Sequence, residues 1–96
     1  MSFEKRRKYE RRPFLPIRYY LPAPHTEKSK KIYRYGDSVD ISKGGLGIIT
    51  DYPLTKGNIL FFLDKIKIDD IVAKSAVVRW TKEIENNRYR VGLEFR

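Results

Sequence analysis

Arg88-Tyr89-Arg90-Val91-Gly92-Leu93-Glu94-Phe95 is the stretch that decides the fold class. Tyr89, Val91, Leu93 and Phe95 fall on one side of a two-residue period, and Arg88, Arg90 and Glu94 on the other, as expected for a strand with one face in a core and one in water. Glu85-Asn86-Asn87 before it is a turn signal. Further upstream, Ile66 to Trp80 is rich in Ile and Val and reads as one long strand entered by a turn near Asp69-Asp70. Ile59 to Leu63 reads as a buried-type strand, and Asp51 to Gly57, with Pro53, as a loop. Leu46-Gly47-Ile48-Ile49-Thr50 forms a short apolar strand after the Ser42-Lys43-Gly44-Gly45 turn. Ile32 to Ile41 carries Tyr33, Tyr35 and Val39, with an irregularity expected at Gly36. Leu15 to Leu21 is aromatic and β-branched, bracketed by Pro13, Pro16, Pro22 and Pro24, which suit an edge strand or its ends. Residues 22–30 read as a polar loop or hairpin.

Six short strands separated by turn signals imply an all-β domain, a small antiparallel barrel or sandwich. The only helix candidate is residues 3–12, where helical spacing puts Arg7 and Arg11 on one face. Like charges at i, i+4 and the short length make such a helix marginal in water. The expectation is a flexible basic arm, residues 1–12, that an anionic partner orders, followed by one β-domain, residues 13–96.

The chain has 96 residues, 41% of them apolar or aromatic, enough for one core. It has no cysteine, which excludes disulfides, thiolate metal sites and thiol catalysis. No apolar segment follows the charged N-terminus as in a signal peptide, and no run approaches the roughly 20 apolar residues that span a bilayer. The reading is a soluble, cytoplasmic domain without membrane insertion. The net charge of +9 points to a polyanionic partner. Residues 1–12 hold Lys5, Arg6, Arg7, Lys8, Arg11 and Arg12 against Glu4 and Glu10.

Two motifs stand out. Arg7-Lys8-Tyr9-Glu10-Arg11 is Arg-x-x-x-Arg, a pattern that a chain with 10 arginines produces roughly once by chance. Asp40-Ile41-Ser42-Lys43-Gly44-Gly45 is Asp-x-Ser-x-x-Gly, with a chance expectation of about 0.03 from this composition. Together with Gly44-Gly45-Leu46-Gly47, Val77-Val78-Arg79-Trp80 and Tyr89-Arg90-Val91-Gly92-Leu93-Glu94-Phe95, they resemble the PilZ domain family of bacterial cyclic-di-GMP receptors over nearly the whole chain.

The resemblance implies a six-stranded antiparallel split barrel and a ligand site divided between Arg6, Arg7 and Arg11 on the arm and Asp40, Ser42 and Gly45 on the turn. Arg7 and Arg11 would grip phosphates and guanine Hoogsteen edges, Asp40 and Ser42 would hold a guanine, and Gly45 would shape the turn. Arg6, just before the first motif, would favour an intercalated ligand dimer. The arm would close over the ligand, and the domain would signal to an unidentified protein partner in motility or biofilm regulation. No cofactor beyond the ligand is implied.

The chemistry is consistent. A guanidinium forks onto a phosphate or onto guanine O6 and N7, which lysine cannot reproduce. A carboxylate accepts from guanine N–H groups, a serine hydroxyl donates or accepts, and glycine lets backbone approach closely. Hydrogen bonds to charged groups contribute about 1.5–3 kcal/mol each, so four or five could give micromolar binding or better after ordering costs.

Plainer roles stay open at this point. Asp40 and Ser42 could cap a turn, and Gly44, Gly45 and Gly47 could form a bulge. Trp80 is expected in the core, and Tyr19, Tyr20, Tyr33 and Tyr35 in sheet packing. His25, in a polar loop with no second histidine, offers no metal set. No nucleophile–base pair or phosphate loop is present, so the chain reads as non-enzymatic. Two other functions compete: a basic barrel that binds RNA or single-stranded DNA through its basic surface and tyrosines, which a neutral Asp40→Ala would favour, and a protein-interaction adaptor that binds no nucleotide, against which the intact motifs count.

Overall fold

The computed structural model describes residues 15–22 and 30–96. They form six antiparallel strands: β1 Pro16–Pro22, β2 Lys31–Ile41, β3 Gly45–Thr50, β4 Ile59–Ile68, β5 Ile71–Glu85 and β6 Arg88–Phe95. The strands close into a barrel in the order β1-β2-β3-β6-β5-β4. Among the described residues there is no helix. The arm, residues 1–12, lies outside them.

The inward face supplies the core. Ile17, Tyr19 and Leu21 alternate on β1, Leu46 and Ile48 on β3, and Val91 and Leu93 on β6, meeting Leu60, Ala76 and Val78 from β4 and β5. Tyr89 and Phe95 pack against this core, so the alternation read from β6 places its apolar face inside. Leu54, from the loop after β3, is also buried. That loop is fastened to β5 by the Gly57 N–H, which donates to Val78 O at 2.8 Å with Gly57 at a φ of 95°.

Tyr19 is 0% exposed. Its hydroxyl lies 2.8 Å from Thr50 Oγ1, and Thr50 Oγ1 donates to Tyr35 O at 3.1 Å. The single Thr50 proton is committed to the carbonyl, so Tyr19 is the donor to Thr50. Desolvation by burial pushes the Tyr19 phenol up to about 12, against a lowering by the Thr50 hydrogen bond.

Several strand limits differ from the sequence reading. The Asp69-Asp70 turn divides β4 from β5, so Ile66 to Ile68 belongs to β4, and β5 continues past Trp80 to Glu85. Asp69 takes a φ of 55° there, and a short polar side chain tolerates that conformation. Gly36 keeps regular pairing, with Ile17 on one side and Thr50 on the other; the irregularity on β2 falls between Ser38 and Asp40. Trp80 is not in the core. It is 49% exposed on the outer face.

Candidate functional site

Two register shifts build the site. On β2, Ser38 pairs Ile48 and Asp40 pairs Gly47, so two steps on β2 match one on β3. On β5, Val78 pairs Leu93 and Trp80 pairs Gly92, the same two-against-one count. Without a bulge, Asp40 would share the buried face of Ser38, and Trp80 that of Val78. Each bulge re-aims the residue after it to the outside.

Gly47 and Gly92 pair with each other across β3 and β6. The result is a continuous row across four strands: Asp40, Gly47, Gly92, Trp80. A side chain on either glycine would meet what lies over it. A Cβ on Gly47 would stand 2.8 Å from Asp40 Oδ1, and one on Gly92 would collide with the indole nitrogen of Trp80. The carboxylate and the indole therefore lie over a glycine floor, one from each side. The cleft here encloses about 290 Å³ and is lined also by Ser42, Arg79 and Leu93.

Asp40 is held by Arg90, whose Nη2 donates to Asp40 Oδ2 at 3.0 Å. Arg90 Nε is buried without a hydrogen-bond partner among the described residues. Arg79, the extra residue of the β5 bulge, pairs with Glu94 at 3.0 Å. The turn after β2 is closed by main chain: Ser42 N–H donates to Gly45 O at 2.9 Å, and Gly44 O accepts from Phe95 N–H at 3.0 Å. The turn thus does not draw on the Asp40 carboxylate. The exposed Ser42 hydroxyl reaches Gly45 O only at 3.5 Å. Gly45 answers a different need, because a Cβ there would run into the Leu93 carbonyl oxygen of β6.

Asp40, Ser42 and Gly45 are thus brought together at one end of the β2–β3–β6 wall. Arg6, Arg7 and Arg11 lie outside the described residues. The sequence reading missed Trp80, Gly92 and Arg90. The signal for the floor was available: Gly47 and Gly92 each sit between two inward-facing residues of an alternating strand, and so face outward with no side chain. Among the described residues, no group of His, Cys, Asp and Glu could hold a metal ion.

This row can receive a planar group. The indole offers a stacking face, the carboxylate accepts from N–H donors in the same row, and the floor admits close approach. The family model of the PilZ domain matches residues 5–96. No curated protein and no solved structure matches.

Proposed function

The chain belongs to the PilZ domain family, and from that membership together with the glycine-floored row we propose that it is a receptor for cyclic-di-GMP. Membership supports a cyclic-di-GMP-binding module in general. The observation that carries the finer reading is the Asp40–Gly47–Gly92–Trp80 row. A guanine placed there would stack on Trp80 and give its N1–H and N2–H donors to Asp40, with Ser42 at the rim. Asp40 is negative and so opposes a dinucleotide's phosphates. Its value at this position lies in reading the base, as a carboxylate does for N–H donors.

In the same proposal Arg7 and Arg11 supply the guanidinium forks for phosphate and Hoogsteen edges, and Arg6 favours an intercalated pair of ligand molecules. Residues 1–12 close over the ligand, and the resulting change is read by a protein partner in motility or biofilm control. The reading is that of a non-catalytic sensor, in keeping with membership of a ligand-binding domain family, with the row supplying a base acceptor and a stacking face.

Isothermal titration with cyclic-di-GMP at near-physiological salt tests it. Saturable binding is expected, severely weakened in Arg7→Ala, Arg11→Ala and Asp40→Ala and unchanged in Lys56→Ala. A folded chain that produces no heat sinks the proposal. Binding that tracks salt steeply and ignores Asp40→Ala would favour a nucleic-acid binder instead.

A further inference from the structure

The barrel wall across from the row carries a second organised surface. In the closed order, β1 stands opposite β6, and β4 opposite β3. On the outside of this wall Tyr33, Tyr20 and Phe61 lie side by side, since Tyr20 pairs Tyr33 on β2 and Phe61 on β4. The Tyr20 and Phe61 rings stack at 5.2 Å between centroids, and Tyr20 and Tyr33 meet at 5.6 Å. Two residues along on the same faces stand Tyr35 and Leu63. Tyr33 is 55% exposed, Tyr35 68% and Leu63 44%. Scattered exposed apolar residues need no explanation, but a contiguous aromatic block marks an interaction surface. Tyrosine and phenylalanine are also the residues that interfaces concentrate at their centres.

We propose that this face docks an acidic protein segment that presents aliphatic or aromatic side chains. Three observations select that occupant. Charge is the first: the chain carries +9, and Lys31 Nζ sits 4.9 Å over the Tyr20 ring at the edge of the block. A second copy would bring +9 against +9, whereas an acidic partner is attracted. The state of the rings is the second. Tyr20 and Phe61 are stacked on each other and Arg18 is neutralised by Asp64 at 2.6 Å. A single-stranded nucleic acid needs separate ring faces along its path, and the Tyr20 face is taken by Phe61 on one side with Tyr33 tilted against it on the other. Barrel closure is the third. At the block β1 is paired on both sides, Tyr20 with Tyr33 and with Phe61, so a partner there cannot add a strand and must use side chains on this face. Rings already packed together lose little freedom on docking, which favours such an anchor. The block centres on β1, opposite β6, and Tyr33 and Tyr35 precede Asp40 on β2 by five residues or more, so the domain can hold ligand and partner at once.

A phage-displayed random-peptide library selected on the full chain tests the proposal, with the Tyr33→Ser/Phe61→Ser double variant as counter-selection. The expected survivors are rich in Asp and Glu and carry apolar residues. Their synthetic versions should bind the double variant about tenfold more weakly, the size of a hot-spot loss. Lys31→Glu, which leaves every ring in place, should weaken them in proportion to their acidity and so serves even if the double variant folds poorly. Selection of no discriminating peptide, or of peptides without acidic residues, overturns the proposal. So does oligo-dT binding that the double variant loses, which assigns the face to nucleic acid, or self-association in sedimentation that it loses, which assigns it to a second copy.

Discussion

The indole of Trp80 lies over Gly92, in the space that any side chain on Gly92 would occupy. Gly92→Ala is expected to leave the barrel folded, because the obstructing group is a side chain that can swing away. The swing should remove the stacking face. Trp80 is the one tryptophan of the chain, so its emission reports the displacement directly. Cyclic-di-GMP affinity should fall roughly ten- to hundredfold in Gly92→Ala and in Trp80→Ala alike, the range of one base–aromatic stack. Unchanged affinity in both variants would remove Trp80 from the site.

Gly45→Ala should behave differently. Its Cβ meets a backbone oxygen of β6, which cannot swing, so the β3–β6 ladder must shift. A loss of about 1–3 kcal/mol is expected in urea unfolding, as for overpacked sites.

Asp40→Ala should reduce cyclic-di-GMP affinity roughly ten- to hundredfold with little change in melting temperature, because the Asp40 side chain is 65% exposed in its ion pair with Arg90 and such pairs contribute little. Arg90→Ala should weaken binding by freeing the carboxylate to rotate, and Arg90→Lys should recover part of it. Affinity that rises in Arg90→Ala would show that Arg90 competes with the ligand for Asp40.

Tyr19 sets an alkaline limit. Its phenol is raised to about 12 in the fold from the ordinary value of 10.0, so the folded state keeps a proton that the unfolded chain releases. This contribution is fully present below pH 10 and is lost as pH rises from 10 through 12, on the order of 2 kcal/mol in all. Tyr19→Phe should flatten denaturant midpoints over that window. At neutral pH it should cost about 1 kcal/mol for the lost hydrogen bond to Thr50.

Asn87 takes a φ of 60° in the β5–β6 turn. Asn87→Gly should be tolerated, and Asn87→Val should destabilise by about 1–3 kcal/mol, since a β-branched residue resists that region. Thermal melts of the two variants, compared side by side, check this.

The strands with unbroken alternation were the legible ones. β6 was read to the residue from its period-two pattern, and so was the all-β architecture. Trp80 was not, because the period carries the burial of Val78 forward to Trp80, and a bulge between them reverses the side. The same reversal on β2 separates buried Ser38 from outward Asp40. There the motif supplied by resemblance marked the residue that periodicity would have hidden. Asp-x-Ser-x-x-Gly located one side of the row, while the glycine floor and the indole depended on strand pairing between distant segments, which a linear pattern does not contain.

The closed ring has a seam. β1 and β4 share two register pairs, Tyr19 with Phe62 and Tyr20 with Phe61, while β3 and β6 share six. Amide hydrogen exchange should therefore be fastest along that join, with the ring springing open there before any other ladder releases. The stacked Tyr20 and Phe61 rings sit across it as an outer clasp, so a partner resting on them would slow exchange on both flanking strands without touching a single backbone amide.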